Sequence, residues 1–426
     1  MFHVSKKGCL YGLVFGLTFT ILVFMYLRRF TMFEWQWIYL VFLIYGAIAL
    51  GIPLFHLTGA YLYKPVPDRG YRPKVSVIIP VYNEEDNIAS TIDSIIASEY
   101  PKDKLELLVI DDKSKDQTLN VINKKRAQHD FKLITHEQNL GKRHALASGI
   151  KQSTGEIVVC IDSDTIVKPD TIKMMVQPFI DEKVYSVCGN TIVANESHPQ
   201  VDTIMSRFQK VWYAGAFRLR KGAESLFSMV LCCSGVLSAY RREKLEKVVD
   251  ELVNEKFFGR KVKSGDDRRL TNLMLRMGGK SVFQSTALAY TIAPHTLKNF
   301  VKQQLRWGRN SVRGMIFASK FFHKRELTQK IIFYITTFVT ITAPFTFLAS
   351  IVGLVLSGSI EWAVVYVLGL MLTSTLFALT DKLLVDYFTF KDIVYRVFFF
   401  TIMFIVTFVY LYAYITPWEG TSWGTR

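Results

Sequence analysis

The chain has 426 residues, of which 50% are hydrophobic, and its mean hydropathy is +0.21. This apolar content exceeds what a single soluble core usually needs and argues against a purely water-soluble protein. The formal net charge is +16. The basic residues are interleaved with carboxylates and do not form one stripe with aromatic residues, which argues against nucleic acid as a partner. The five cysteines have no CxxC spacing, so neither a zinc site nor a disulfide framework is predicted.

Long apolar runs lie near both ends of the chain. Residues 8–27 and 38–63 form one block, and residues 331–380 and 393–416 form another. Each run is long enough to cross about 30 Å of hydrocarbon at about 1.5 Å per residue. The first run exceeds the apolar core of a typical signal peptide and is soon followed by a second, so we expect it to be retained. A multi-pass plasma-membrane protein is predicted.

The charged middle of the chain has the composition of an ordinary soluble domain. Most of the net positive charge lies between the apolar blocks, which predicts a cytoplasmic location for this domain by the positive-inside rule. We therefore divide the chain into four parts. These are two transmembrane helices at 1–63, a cytoplasmic domain at 64–297, amphipathic interface helices at 298–330, and a C-terminal membrane part with a tail at 331–426.

The soluble domain begins with a recurring pattern. The stretch KVSVIIPVYNEEDNIASTIDSI at 74–95 is typical of a strand, a turn and an amphipathic helix. The unit recurs in LELLVIDDKSKDQTLNVI at 105–122, and GEIVVCIDSDT at 155–165 repeats its strand and acidic end. Apolar strands that alternate with helices predict an α/β fold with a parallel sheet covered on both faces. Ligands bind such sheets at the carboxyl ends of the strands.

Acidic residues follow two of these strands. Each of Asp111, Asp112, Asp162 and Asp164, taken alone, is explained as well by capping of the next helix. The spacing of Asp162 and Asp164 favours a hard oxygen site for Mg²⁺ or Mn²⁺ bound to a diphosphate. Lys142, in NLGKRHA, lies behind a glycine where cations and backbone can approach phosphate oxygens. No full Walker loop is present, so the Lys142 signal alone is weak.

Two later motifs are rich in charged and amide side chains. Asp266 and Asp267, in SGDDRRLTN, precede a helical pattern. They either complement the positive end of that helix or supply a general base, because crowding two carboxylates raises the proton affinity of one of them. The stretch KQQLRWGRN at 302–310 is typical of a basic amphipathic helix on lipid, which accounts for its arginines and tryptophan but leaves its two amides unexplained.

Taken in chain order, the motifs VYNEE, VIDDKS, GKRHA, DSD, GDDRRLTN and QQLRW resemble those of the processive family-2 glycosyltransferases. Within that family the chain is most similar to class I hyaluronan synthases, through CSG, LSAYRR and the terminal SWGTR. Val236 stands where that pattern usually has proline, and KQQLRWGRNSVR is equally similar to nodulation-type chitooligosaccharide synthases. The resemblance implies a Rossmann-like GT-A catalytic domain in the cytoplasmic part.

The resemblance also implies roles for individual residues. Asp267 is expected to be the base that deprotonates the acceptor hydroxyl, with Asp266 beside it, and Asp164 to bind the metal. The donor contacts are expected to be Tyr82, Asp111, Asp112, Lys142, Asp162, Gln303, Arg306, Trp423 and Arg426. The acceptor contacts are expected to be Cys233, Ser234 and Trp307.

The implied substrates are UDP-GlcNAc and UDP-GlcA, and the implied partners are the nascent polysaccharide and the lipid bilayer. A chitin-type enzyme that uses UDP-GlcNAc alone is the first alternative. A transporter is the second, although no acidic residue lies deep inside a span. The resemblance places the WGTR tail inside the cell. Arg396 near the start of the last apolar run and Pro417 at its end favour a re-entrant or interfacial segment at 392–416, which leaves four true crossings.

Overall fold

A computed structural model describes residues 36–358, 360–384 and 389–419. The first predicted span, at 8–27, and the tail residues Trp423 and Arg426 lie outside these ranges. In chain order the described strands are β1 Val75–Val81, β2 Leu105–Asp111, β3 Lys132–Thr135, β4 Ile157–Ile161, β5 Ile166–Val167, β6 Val184–Val193, β7 Leu237–Arg241, β8 Lys256–Phe257, β9 Arg260–Lys261 and β10 Lys280–Thr291.

The helices divide between the α/β domain and the segments that flank it. Those of the domain are α2 Ile88–Ile96, α3 Thr118–Arg126, α4 Lys142–Gln152, α5 Thr171–Met175, α6 Ile204–Ala214, α7 Gly222–Leu226, α8 Arg242–Leu245, α9 Val249–Val253 and α10 Asp266–Arg276, with a π-helical turn at Gly215–Lys221. The flanking helices are α1 Gln36–Leu62, α11 Leu297–Phe322, α12 Leu327–Ser357, α13 Ile360–Leu384, α14 Phe390–Val397 and α15 Phe399–Ile415.

The main sheet has the strand order β3-β2-β1-β4-β7-β6-β10-β5. Strands β1 and β4 are buried along their whole length, and β1 pairs in parallel with both β2 and β4. This half of the sheet matches the predicted parallel arrangement, because apolar strands covered by helices on both faces favour it. The other half differs from the prediction, since β7 runs antiparallel between β4 and β6.

The antiparallel direction of β7 matters for the site. Leu237, its first residue, pairs with Ile161, the last residue of β4. The loop that precedes β7 therefore lies at the carboxyl end of β4, beside the acidic residues that follow that strand. If β7 ran parallel to β4, this loop would lie at the amino end of β4, away from the acidic residues.

The apolar helices only partly follow the predicted spans. By length and composition two described helices can cross a membrane, Ile44–Leu62 and Leu327–Gly353. In the later part of the predicted apolar run 331–380, the apolar stretch is the shorter Val367–Leu379. Helices α14 and α15 are bent by 53° at their junction, the geometry of a broken span or a re-entrant segment. The membrane arrangement as a whole stays a prediction.

Candidate active site

A polar cleft of roughly 230 Å³ opens at the carboxyl ends of β1 and β4. The sequence predicts a ligand site at these carboxyl ends of the strands. Parts of β1, β4, β7, α4 and α10 meet there. The residues that line it are Pro80, Lys142, Leu146, Cys160, Ile161, Asp162, Gly235, Ser238, Tyr240, Asp266, Asp267 and Leu270.

Lys142 lies at the centre of the cleft. It begins α4, and its Nζ donates to Asp162 Oδ1 at 2.5 Å and lies 3.6 Å from Asp266 Oδ2. Burial lowers the pKa of Lys142, but the carboxylates of Asp162 and Asp266 outweigh burial and raise it above its ordinary value. The ammonium therefore stays charged over the physiological pH range. The structure brings together three residues that are far apart in the sequence.

The loops around Lys142 leave little room. Gly141, just before it, has φ +91°, a conformation that favours glycine. A Cβ on Gly235, in the loop before β7, would lie 3.0 Å from Lys142 Nζ and 3.4 Å from an Asp162 oxygen. A side chain at position 235 would therefore press on the charged pair. The glycine of the CSG motif is explained by this close approach.

The two carboxylates at the start of α10 have different surroundings. Asp266 is buried and faces Lys142. Burial raises the pKa of Asp266, but Lys142 and Arg143 outweigh it and hold that pKa below its ordinary value. Asp267 is only half-buried; its Oδ1 accepts from the amide of Arg268 at 2.7 Å, and its Oδ2 lies 3.6 Å from the Cys232 thiol. Asp266 is fitted to remain ionised beside Lys142, whereas Asp267 faces the cleft.

Three of the residues expected to contact the donor lie at the carboxyl ends of β1 and β2. Tyr82 is half-buried directly after β1. Asp111 is almost fully buried and accepts from the Ser114 amide at 3.3 Å. Asp112 has no exposed surface, and its carboxylate is held by His136 and by two loop amides. Both carboxylates are thus buried and held by the local backbone.

Helix α11 brings the QQLRW motif beside the cleft. Its Gln303 is buried, and its Trp307 ring lies 5.9 Å from the Tyr213 ring of α6. Burial raises the pKa of Tyr213 and the nearby carboxylate of Asp164 raises it further. The phenol therefore lies within electrostatic reach of Asp164. Tyr213 was not predicted from the sequence, where it is one aromatic residue among several on an amphipathic helix.

Arg306 adds a second cation near the carboxylates. Its Nε is buried and has no hydrogen-bond partner among the described residues. Its charge also contributes to lowering the pKa of Asp266. A buried guanidinium nitrogen without a partner is costly, and an anionic ligand would supply the missing acceptor.

The cysteines of the CSG loop point in different directions. Cys233 is fully buried; its thiol lies 3.4 Å from Ser281 Oγ, so the side chain is directed into the core. Cys232 lies beside Asp267, and burial together with that carboxylate raises the pKa of its thiol to about 12. Such a thiol is not a nucleophile at neutral pH. Ser234 is half-buried between Cys233 and the cleft-lining Gly235.

The donor set for a divalent metal is small. Asp164 is half-buried, and Asp162 shares its oxygens with Lys142. In the part of the chain that the structure describes, no group of three or more His, Cys, Asp or Glu side chains gathers into a metal site. Two hard carboxylates still fit a Mg²⁺ or Mn²⁺ ion that takes its other oxygens from a diphosphate and water. The residues present are compatible with a metal held jointly with the substrate.

A Rossmann-like sheet with acidic strand ends and a cation-bridged cleft defines a GT-A glycosyltransferase domain. Residues 76–249 match the family described as Glycosyl transferase family 2, so this part of the chain is a family-2 glycosyltransferase domain. A mannosyltransferase from Pyrobaculum calidifontis, solved with GDP-Man and Mn²⁺, has the same fold, with a TM-score of 0.57 and 22% identity over 88% of this chain and 99% of that one.

Two relatives are more similar in sequence. A hyaluronan synthase of Streptococcus pyogenes is 33% identical over 284 residues, which is 65% of this chain and 66% of that protein. An N-acetylglucosaminyltransferase of Mesorhizobium japonicum is 33% identical over 248 residues, 58% of each chain. The alignments thus span just under two thirds of the first relative and less of the second.

Proposed function

We propose that this protein is a processive, inverting membrane glycosyltransferase that builds hyaluronan from UDP-GlcNAc and UDP-GlcA. The single observation that carries the proposal is the 33% identity to the streptococcal hyaluronan synthase over 284 residues. The apolar helices on both sides of the catalytic domain support a product that leaves through the membrane.

The proposed reaction joins an acceptor hydroxyl to the anomeric carbon of a UDP-sugar. The O–H proton passes to Asp267, the new C–O bond forms, and the bond from the anomeric carbon to the diphosphate oxygen breaks with its electron pair leaving on UDP. Asp267 suits the base role because its Oδ2 is bordered by a thiol and not by a cation. Asp266 has the Lys142 ammonium beside it and is better suited to holding that cation in place.

The departing UDP carries negative charge that the protein must balance. The Lys142 ammonium lies beside the carboxylate cluster, and the unpartnered Nε of Arg306 can donate to a diphosphate oxygen. Asp164, with Asp162 in support, would hold Mg²⁺ or Mn²⁺, which would neutralise the diphosphate when bound. Preorganised charge of this kind contributes much of the rate in phosphate-leaving reactions.

Trp307 is proposed to present a flat apolar face to the acceptor sugar. Its ring packs against Tyr213 and the main core, so its position is fixed before a sugar arrives. The amides of the QQLRW motif then belong to the active site, while the basic face of the same helix suits the membrane interface. The QQLRW motif is thus proposed to serve both the active site and the membrane interface.

A GlcNAc polymer or oligomer synthase is the second candidate. The similarity to the rhizobial N-acetylglucosaminyltransferase favours it, and the percentage identity is the same. The catalytic residues serve either product, because base, cations and metal act on the UDP leaving group and not on the sugar substituents. Donor choice therefore needs a direct test.

The test uses the purified full chain in lipid nanodiscs with Mg²⁺ or Mn²⁺. Each UDP-sugar is supplied alone and then both together, and the product is sized and digested with a hyaluronan-specific lyase or a chitinase. Hyaluronan synthesis predicts long polymer only with both donors, digested by the lyase. Polymer from UDP-GlcNAc alone, digested by chitinase, would establish the second candidate.

A further inference from the structure

The β8–β9 hairpin carries an aromatic residue at its tip, where the backbone disfavours one. Its two short strands are antiparallel and are joined by Phe258 and Gly259. Both joining residues have positive φ, +46° and +76°, as a type I′ turn requires. Such turns favour asparagine and glycine, and a bulky side chain at positive φ is strained. Phe258 therefore makes the hairpin less stable than an asparagine at the same position would.

The Phe258 ring is not buried in the core. It is 78% exposed, and its ring contacts are with the adjoining Phe257, at 4.7 Å between centroids, and with Trp418, at 6.4 Å. Core packing thus does not offset the strain of the turn. A strained backbone that presents an exposed apolar side chain is typical of a recognition surface.

Cations surround the phenyl ring. The exposed basic residues of the hairpin and the residues just after it are Lys256, Arg260, Lys261 and Lys263. Lys256 lies directly opposite Lys261 across the two strands, and like charges in that position are unfavourable. The adjoining carboxylate, Glu255, is bound by two arginines elsewhere in the domain. An anionic surface would relieve the repulsion between the hairpin cations.

The exposed apolar face of α15 leads to the same ring. The large side chains of this face are 45–63% exposed and recur at helical spacing, at Phe404, Phe408, Tyr412 and Ile415. Helices α14 and α15 together are long and apolar enough for one broken span. Trp418 follows the end of α15, and its ring lies against Phe258. The apolar face of α15 and the hairpin tip therefore form one continuous surface.

We propose that the β8–β9 hairpin anchors the catalytic domain to the membrane, with the Phe258 ring inserted at the headgroup level and the surrounding cations bound to anionic lipids. Trp418 marks that level, since tryptophan is enriched at membrane interfaces. Aromatic rings insert at the acyl boundary, and cations beside them are attracted to anionic headgroups. The proposal goes beyond the transferase activity and does not depend on which sugars are joined.

The hairpin is better suited to an anionic membrane than to the anionic product. Sites for bound molecules are concave, whereas the Phe258 ring lies at the projecting tip of a hairpin. The ring is also continuous with the face of α15 that suits lipid. The polysaccharide is therefore treated as an alternative that the experiment must separate.

Fluorescence quenching by labelled lipid tests the proposal without using activity. The fluorescent amino acid Anap is incorporated at position 258 of the full chain. The protein is placed in nanodiscs of phosphatidylcholine and phosphatidylglycerol, in which some lipids carry a nitroxide near the headgroup. We expect strong quenching at position 258. An unquenched probe there would overturn the proposal.

Position 128 is the matched control for the probe. Gln128 is exposed and lies in the turn before β3, at the amino end of that strand. The amino ends of the strands are opposite the cleft, so Anap at this position should stay unquenched in the same nanodiscs. Equal quenching at positions 128 and 258 would contradict a contact specific to the hairpin.

The role of the cations is tested by neutralising three of them. With Lys256→Gln, Arg260→Gln and Lys261→Gln combined, the probe at position 258 should lose most of its quenching. The matched control removes the same charge from exposed positions elsewhere, through Lys124→Gln, Lys183→Gln and Lys247→Gln, and should be quenched like wild type. A neutralised hairpin that is quenched as strongly as wild type would contradict the proposal.

Hydrogen exchange gives a measurement that needs no probe. The amides of residues 256–261 should exchange several-fold more slowly in nanodiscs with phosphatidylglycerol than in phosphatidylcholine alone. Phe258→Asn should abolish this lipid dependence and slow exchange of the hairpin in detergent, because asparagine tolerates positive φ. Equal exchange of the wild type in both lipids would overturn the proposal. Protection by added hyaluronan oligosaccharides, without protection by the anionic lipid, would overturn it in favour of the product.

Discussion

Two adjacent carboxylates at the start of α10 illustrate how neighbours divide the roles of identical side chains. Asp266 faces the Lys142 ammonium, whereas Asp267 has a thiol against its outer oxygen. The residue types alone predict that one of the pair is a base, and the family resemblance assigns that role to Asp267. Lys142, the residue that makes their surroundings different, is more than a hundred residues away in the chain.

The first prediction concerns the base. Asp267→Asn keeps the shape of the side chain but cannot take the acceptor proton, so polymer synthesis should fall by at least about a hundredfold while UDP binding is retained. Turnover and UDP affinity are measured on the same preparation. The exposed Asp250→Asn variant is the control and should turn over like wild type. Turnover that survives in Asp267→Asn would remove this residue from the base role.

A second prediction concerns the metal. Asp164→Ala removes one of two carboxylates available to a diphosphate-bound ion, so donor binding should lose its dependence on Mg²⁺ or Mn²⁺ and weaken by about tenfold or more. UDP affinity is titrated with and without the ion. Asp103→Ala, an exposed carboxylate outside the cleft, should keep the metal dependence. A normal metal response in Asp164→Ala would show that this carboxylate is not a ligand.

Some individual residues of the candidate site could not be predicted from the sequence. Tyr213 approaches Asp164 and Trp307 only because α6 packs against α11, and nothing in its local sequence separates it from neighbouring aromatic residues. Asp112 is a different case, because its place at a strand end predicts a ligand contact and its carboxylate also accepts hydrogen bonds from the Leu140 and Gly141 amides. Direction of a side chain at a strand end depends on the following turn, which tertiary contacts decide.

At the scale of elements, a buried ion pair joins the catalytic domain to the C-terminal helices. Lys210 of α6 donates to Asp392 of α14 at 2.8 Å, and both side chains are buried. Asp392 also forms a capping box with Thr389, the residue that caps the start of α14. Because removing one partner of such a pair leaves a buried charge, the pair fixes α14 on the domain.

The third prediction follows from that ion pair. Lys210→Met alone should destabilise the protein by about 3–5 kcal/mol, because it leaves the buried Asp392 carboxylate without its cation, and adding Asp392→Leu should recover much of that loss. Asp392→Leu alone should cost less, because Lys210 keeps a second carboxylate, Glu196, at 2.7 Å. Thermal unfolding of the detergent-solubilised chain measures this. Lys151→Met, from the exposed pair with Asp250, should change the midpoint little. Single variants as stable as wild type would mean that the pair does not hold α14.

The segment after α15 also returns to the catalytic domain. Arg309 of α11 contacts Thr416 and Glu419, and Arg313 donates to the Pro417 carbonyl at 2.9 Å. The Trp418 ring lies 6.4 Å from Phe258 on the β8–β9 hairpin. These contacts favour an end of α15 that faces the same side as the catalytic domain, as the predicted re-entrant segment requires.

The fourth prediction tests that topology. A cysteine at position 422, in an otherwise cysteine-free chain in intact cells, should be labelled by an impermeant thiol reagent only after the membrane is permeabilised. A cysteine introduced at Glu137, exposed on the catalytic domain, is the matched control and should behave in the same way. Labelling of position 422 from outside, with position 137 still protected, would refute the re-entrant arrangement.

Some strands and helices were predicted from the sequence and others were not, for physical reasons. The strands β1, β2 and β4 were found because continuous apolar runs bounded by turns are a local signal. The antiparallel β7 was not, since strand direction depends on how a long connection crosses the domain. In the later part of the predicted apolar run 331–380, the described apolar stretch is the shorter Val367–Leu379.

At the scale of the whole molecule, the proposed function places synthesis in the catalytic cleft and export of the polymer through the apolar helices of the same chain. The basic domain, the amphipathic α11 and the apolar helices then serve one process, in which each added sugar pushes the polymer outward. A soluble transferase would need none of the flanking helices. The proposal therefore predicts where the product goes as well as what it is.

The most direct test reconstitutes the purified chain in sealed lipid vesicles. UDP-GlcNAc, UDP-GlcA and Mg²⁺ are supplied outside, where chains with an outward catalytic domain can use them, and hyaluronan lyase is then added outside. The account predicts long polymer that resists the lyase until detergent opens the vesicles. Absence of polymer with both donors, or polymer fully digested without detergent, would contradict it.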